Sequence, residues 1–366
     1  MTRPSSHDVD LDKLPLNPQR WKYILALIIA RHNWRHAVRD KGVSHATMAD
    51  RQQFCFRIFT FLRDNPVRSY RMDPRSFSGR HVDLLMADWR RRAQAGELGA
   101  ASLQKNHSFL VTFATWIGKP KLVKPLGSYI DDPALITRSY AATEPKGWRA
   151  RGVDVETVLA QVEAYDRHAA VSLRLMQAFG LRFKEACMLR PHVDVHTAAQ
   201  AGKPDGTVAM YLLTHRGTKG GRDRYVPVDT EARRDAIDAA QRVVRREDDS
   251  VSDPSLTLVQ AIRRLRYVME RFDVTKKALG VVPHGLRHEY AGDGYEDITG
   301  TPPPVLGGRR VDPELDRAAR REVAERLGHG RPQITTAYLG AVRATAPRFP
   351  APDSSPTAAC DRAALG

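Results

Sequence analysis

One stretch of this chain alternates apolar and polar residues with the period of a strand: TVAMYLLTHRGTKGGRDRYVPV, residues 207–228, built around a Gly-rich centre. Period-two patterning on both sides of a glycine turn is a β-hairpin signature. The other patterned stretches repeat with the 3.6-residue period of a helix. The combination predicts a mainly α fold with a small antiparallel β-sheet.

Helices are expected over Pro18–Asp40, with Trp21, Leu25, Ile28 and Ile29 on one side, then Ala46–Arg63, Ser78–Gly96 and Ala100–Ile117. A Pro- and Lys-containing stretch of weak periodicity, 121–150, reads as a linker. Helical patterning resumes over Val153–Leu189 and returns after the hairpin at 230–246, 254–271, 284–292, 312–327 and 331–341. The polar residues 1–17 read as disordered. The Pro-, Ala- and Ser-rich residues 343–366 read as a flexible tail. The expected domains are therefore a helical one at 18–120 and a second one at 151–342.

Lys and Arg total 58 against 42 Asp and Glu, a formal charge of +16. That excess predicts attraction to a polyanion, nucleic acid before others. The longest apolar run, YILALIIA at Tyr23–Ala30, has eight residues, too few to span a bilayer, so no membrane partner is expected. The start of the chain has no signal-peptide architecture. Cys55, Cys187 and Cys360 form no CxxC pair, which fits a reducing cytoplasm.

Four segments hold the residues that could do chemistry: GLRFKEACMLR (180–190), RGTKGGRDRYVPV (216–228), HGLRHEY (284–290) and RLGHGRPQITTAYLG (326–340). Taken singly, Arg182 reads as a surface arginine paired with Glu185, Lys219 as a turn lysine, His329 as a helix cap and Tyr338 as a packed aromatic. Spacing His284 and His288 four apart suggests zinc. Gly285, however, stands where a zinc protease needs its glutamate, and Arg287 would set a fixed cation beside the metal. No metal or other cofactor is expected. Together the segments supply arginines, a lysine, histidines and a tyrosine, a set able to attack a phosphodiester without a metal. Guanidinium groups grip non-bridging oxygens, a lysine protonates a leaving oxygen and a tyrosine serves as nucleophile.

These four segments resemble the boxes of the tyrosine recombinases of the phage-integrase type. The resemblance covers about 153–341 and implies a catalytic set of Arg182, Lys219, His284, Arg287, His329 and nucleophile Tyr338, nine residues after His329. His288 falls beside this set as a structural helper. The 42 positions from Arg287 to His329 hold an insert at about 292–320, longer than in compact members and similar to integrases of integrative and conjugative elements and genomic islands.

The resemblance further implies a two-domain clamp on double-stranded DNA, a core-binding domain preceding the catalytic one, and a homo-tetramer assembled at attachment sites. A directionality factor is a candidate partner, and the setting would be the nucleoid of a bacterial cytoplasm. The implied reaction cuts and rejoins strands through a 3′-phosphotyrosyl intermediate to integrate or excise a mobile element. A type IB topoisomerase-like relaxase and a silent DNA-binding protein of the same fold are the alternatives. Further DNA contacts are expected from Lys105, Asn106 and His107 in the helical domain, and from Arg216, Arg222 and Arg224 around the hairpin tip.

Overall fold

The computed structural model describes residues 10–11, 13–35, 42–66, 69–204, 206, 208–218 and 221–341. The chain divides between Ser139 and Tyr140 into two compact units.

The first unit is helical: α1 (Trp21–His32), α2 (His45–Asp64), α3 (Gly79–Gln94), α4 (Ala100–Trp116) and the short α5 (Pro133–Ile136). Ser44 starts α2 by accepting from the Thr47 amide, one of the donors a helix start leaves unpaired. The core gathers Ile24, Leu25 and Ile28 of α1, Phe54, Ile58 and Phe59 of α2, Leu85 of α3 and Phe113 of α4. Helix α1 stops at His32, short of the expected Asp40.

Two expectations need correction here. Residues 13–17 and Leu11 are ordered rather than disordered: Leu11 is buried, and the Arg75 guanidinium donates to the carbonyls of Leu11, Leu14 and Pro15 at 2.6, 2.8 and 3.0 Å. One internal arginine satisfies backbone that composition alone leaves open. The stretch 121–150 is also packed: Val123 and Ile130 join the first core, and Trp148 joins the second with no exposed surface. Isolated apolar anchors among prolines and lysines leave no periodic trace.

The second unit contains α6 (Val155–Tyr165), α7 (Arg167–Phe179), α8 (Phe183–Met188), α9 (Glu231–Val243), α10 (Leu258–Arg271), α11 (His284–Thr299), α12 (Pro313–Arg326) and α13 (Thr336–Leu339). Its sheet has strands β1 (Val195–Thr197), β2 (Met210–Thr214) and β3 (Arg224–Pro227), antiparallel in the order β1-β2-β3, with Leu212 opposite both Val195 and Val226. The hairpin is β2–β3. Strand β1, at three residues, is too short to read from periodicity. Helix α7 is the centre: Ala170, Leu173, Leu175, Met176 and Phe179 have no exposed surface. No helix among the described residues is long and apolar enough to cross a membrane.

Helix α11 runs seven residues beyond the expected 292 and ends at Gly300, whose φ is 64°. Gly292 and Gly294 weaken the helical signal, but buried Ala291 and Tyr295 continue its apolar face. The insert is thus the end of α11, a Pro/Gly loop and the start of α12. It is braced: the Tyr295 hydroxyl donates to Asp316 at 2.7 Å, and Arg320 donates to Asp316 and to the Gly340 carbonyl at 3.2 Å. The helix expected at 331–341 is a 3-10 turn, Pro332–Thr335, followed by the four-residue α13, which ends at Gly340 with φ 76°.

A strap formed by residues 142–149 ties α13 to α11. The Ala142 amide donates to the Thr336 carbonyl at 2.8 Å, the Trp148 indole donates to the Val282 carbonyl at 2.8 Å, and the Arg149 amide donates to the Glu289 carboxylate. Gly285 permits this approach, since a Cβ there would lie 2.5 Å from the Lys146 carbonyl oxygen and 2.6 Å from Trp148 Cδ1. At Gly294 a Cβ would meet nothing nearer than Val323 Cγ2 at 3.8 Å. Both are helical glycines, so helix propensity favours alanine at each by about 1 kcal/mol. Overpacking against backbone, at about 1–3 kcal/mol, reverses the sign at Gly285 alone. Thermal melts should show Gly294→Ala raising the midpoint and Gly285→Ala lowering it; equal shifts would remove the strap from the fold's constraints.

Candidate active site

Gly180 ends α7 in the left-handed region, φ 59°, against the Tyr290 ring, where a Cβ would collide. Two residues later Arg182 caps α8. Its amide donates to Glu185 Oε2 at 2.7 Å and its guanidinium to Oε1 at 2.6 Å. Glu185 is buried, at 1% exposure. Arg224 of β3 reaches the same carboxylate with both terminal nitrogens, at 2.7 and 3.3 Å. Arg287 of α11 stands 3.9 Å from it. Burial would raise the Glu185 carboxyl, but the Arg224 hydrogen bond and charge, with those of Arg182, bring it down to about 2. Three guanidiniums around one carboxylate leave a net excess of two positive charges.

Arg287 has no exposed surface. Its Nε donates to the Tyr338 hydroxyl at 3.3 Å, one terminal nitrogen to the Gly180 carbonyl, and the other to the Leu327 carbonyl at 2.6 Å and to His329 Nε2 at 3.3 Å. A guanidinium only donates, so His329 Nε2 is an acceptor and its proton sits on Nδ1, which is buried and has no partner among the described residues. The rings of His288, His329 and His284 lie 4.6, 5.4 and 6.0 Å from that of Tyr338. Burial first, then surrounding cations, holds His284 down at about 4 and His329 at about 3, and burial with the charges of His284, Lys146 and Arg287 holds His288 at about 3. All three are neutral near pH 7. Arg287 is lowered to about 10 by burial and stays charged.

Of the six positions singled out from sequence, Arg182, His284, Arg287, His329 and Tyr338 converge here; Lys219 lies outside the described residues. His284 and Arg182 present accessible surface, whereas Arg287 is covered by Tyr338 and backbone carbonyls. The two other tyrosines of α11 are engaged elsewhere: Tyr290 with Arg233, at 3.4 Å, and Tyr295 with Asp316. Among the described residues no group of three His, Cys, Asp or Glu is placed to hold a metal ion.

The outlying candidates separate. Arg224 is not a free cation beside the hairpin tip; it is buried against Glu185. Arg216 is paired with Asp194, and Arg222 is exposed, packed beside Gly330. In the first unit Asn106 is buried and accepts from Arg57 at 3.3 Å, so its side chain is used internally. Lys105 is exposed, 3.7 Å from Asp50, and a His107 ring nitrogen pairs with the Lys124 carbonyl at 2.8 Å. Sequence reasoning missed the burial of Glu185 and the presence of Lys146. An i,i+3 Arg–Glu pair announces contact but not depth, and Lys146 lies in a segment with no periodicity.

The depressed imidazoles make stability depend on pH. Their unfolded values, near 6.5, exceed the folded ones, so the unfolded chain binds more protons below pH 6.5. Stability from this source is full above pH 6.5 and falls toward pH 3–4. One pKa unit is worth about 1.4 kcal/mol, and screening of the open faces of His284 and His329 reduces it, for a loss of roughly 2–4 kcal/mol. Glu185 adds its own loss only from about pH 4.5 down to 2. Denaturant melts at pH 7.0, 5.5 and 4.5 should show the decline beginning above pH 5, and His288→Phe should flatten it; a curve level to pH 4.5 would contradict the neutral cluster.

Comparison with known proteins follows the same residues. Residues 139–293 match the family described as integrase, a span that contains Arg182, Lys219, His284 and Arg287 and ends before His329 and Tyr338. No curated protein matches the sequence. Among solved structures, a lambda integrase dimer bound to a COC′ core site is 12% identical, with a TM-score of 0.52 over 92% of this chain and 81% of that one. A second lambda integrase dimer on a COC′ core site is also 12% identical, with a TM-score of 0.51 over 91% of this chain and 98% of that one. At such identity the likeness is one of fold. The integrase match, over residues 139–293, falls on the mainly helical unit that carries the three-stranded sheet and most of the candidate site.

Proposed function

We propose that the chain is a site-specific DNA recombinase that cuts and rejoins duplex DNA with Tyr338 as nucleophile, moving an integrating element into and out of a chromosome. The observation that supports this most is the hydrogen bond from Arg287 Nε to the Tyr338 hydroxyl, inside a site with Arg182, His284 and His329 and an uncompensated positive charge. That contact fixes the phenolic oxygen beside the positive cluster. The chain's +16 charge supplies the general attraction to DNA.

In this reading the Tyr338 hydroxyl gives its proton to a neutral imidazole of the site, its oxygen bonds to the scissile phosphorus and the bond from phosphorus to the 5′-oxygen breaks. The strand is left as a 3′-phosphotyrosyl ester, and Lys219 protonates the departing oxygen. A 5′-hydroxyl from a partner strand then gives its proton to Lys219 and attacks the ester, the bond from phosphorus to the tyrosine oxygen breaks, and that oxygen takes its proton back from the imidazole. Arg182, the more open arginine, grips the non-bridging oxygens; Arg287 holds the attacking oxygen. An arriving phosphate offsets the guanidinium charge and raises the proton affinity of His284 and His329. The phosphoester is conserved through both steps and the charge stabilisation comes from guanidinium groups, so neither ATP nor a metal takes part. Exchange between two duplexes calls for a tetramer on paired attachment sites, with a directionality factor as the candidate that biases integration or excision.

Tyr338→Phe should bind junction DNA as wild type does and form no covalent complex in denaturing gels. Arg182→Lys, which cannot reproduce a bidentate fork, should lose about 100-fold or more in cleavage rate while keeping most affinity. It is a cleaner test than Arg287→Lys, because Arg287 also ties Gly180 and Leu327. Covalent trapping by Tyr338→Phe would overturn the assignment. Joining of two differently marked duplexes separates recombination from relaxation of supercoils; relaxation without joining would favour the topoisomerase-like alternative.

A further inference from the structure

Beside Tyr338, on the side of the strap, lies a cavity of about 280 Å³ whose lining includes Lys146, Gly147, His288, Glu289, Pro303 and Tyr338. Lys146 sits at the middle of the strap. Its backbone is pinned on both sides, by Ala142 on Thr336 and by Trp148 on Val282. Its carbonyl lies against Gly285 of α11, and the neighbouring Gly147 lies against Glu289, where a Cβ would stand 2.6 Å from Cγ. The strap therefore fixes where this lysine starts, at the junction of the two helices that bear Tyr338 and His288.

The Lys146 side chain is exposed, and among the described residues no hydrogen bond or ion pair occupies its ammonium. Two of the three carboxylates lining the cavity, Glu289 and Asp293, are taken by Arg149, the latter at 2.5 Å. The charges of Lys146 and Arg287 both act on His284 and His288. The cavity that Lys146 shares with Tyr338 is lined by none of Arg182, Arg224 and Arg287. An unpaired ammonium held by a pinned backbone next to a nucleophile's ring has one obvious class of ligand, a phosphate of the strand being cut.

We infer that Lys146 binds a DNA backbone phosphate on the strap side of Tyr338, as a positioning cation separate from the arginine cluster. The inference rests on the recombinase reading for what the phosphate belongs to. Lys146 gives that phosphate a monodentate contact and moves no proton.

The test is made in the Tyr338→Phe chain, so that no covalent step intervenes, with a 40-base-pair duplex of arbitrary sequence as probe. One phosphate contact contributes about 0.9 to the slope of log affinity against log salt. Lys146→Ala and Lys146→Gln should each reduce that slope by about 0.9 and weaken binding roughly 3- to 10-fold near 0.1 M salt. Lys146→Arg, which keeps the charge, should retain the slope. A merely structural role would not change the slope by one phosphate, and matched thermal midpoints verify that the variants fold. An unchanged slope in both neutral variants overturns the proposal. In parallel, the chain with Tyr338 intact is assayed for covalent DNA on a duplex carrying the element–chromosome junction. Adduct formation with an unchanged slope sinks Lys146 and keeps the recombinase reading; a reduced slope without any adduct keeps the phosphate contact and sinks that reading.

Discussion

The second unit depends on one carboxylate. Glu185 is buried and holds the guanidiniums of Arg182 and Arg224 directly, with Arg287 just beyond contact distance. Those arginines come from the α7–α8 turn, the hairpin and α11, three separate parts of the chain. Arg287 then extends the network to Gly180, Leu327, His329 and Tyr338. Removing one partner of a buried ion pair costs about 3–5 kcal/mol, because a desolvated charge is left alone. Here the loss would fall on the elements that bear the candidate nucleophile.

The same cluster is incomplete as an electrostatic object. One negative charge faces three positive ones, and the nearby imidazoles answer by staying neutral. A protein selected for stability alone would pair or remove such charge. An anion entering the site would complete it, strengthening its own binding as it restores proton affinity to the histidines. The stability cost in the free chain and the proposed affinity for phosphate are two sides of one arrangement.

Much of the site was legible because its chemistry is local. Arg182 follows a left-handed Gly180, His284 and Arg287 share a turn of α11, and Tyr338 sits in a short segment closed by Gly340. The helix–hairpin–helix order was legible from periodicity. Depth was not: Glu185 looked like the surface partner of Arg182, and Arg224 like a hairpin-tip cation, since neither burial nor a cross-element contact leaves a mark at fixed spacing. The strap was missed for a different reason. Trp148 and the glycines Gly147 and Gly285 make it by close approach, which has no period, in a stretch whose prolines and lysines suggest a linker. The insert was visible as extra length, but its bracing by Tyr295, Asp316 and Arg320 was not.

The proposed nucleophile is Tyr338, whose hydroxyl Arg287 touches while Tyr290 and Tyr295 face Arg233 and Asp316. Trapped DNA complexes digested with trypsin and analysed by mass spectrometry test this directly. The account predicts a nucleotide adduct on the peptide LGHGRPQITTAYLGAVR, residues 327–343, whose single tyrosine is Tyr338. An adduct on HEYAGDGYEDITGTPPPVLGGR, residues 288–309, would contradict it.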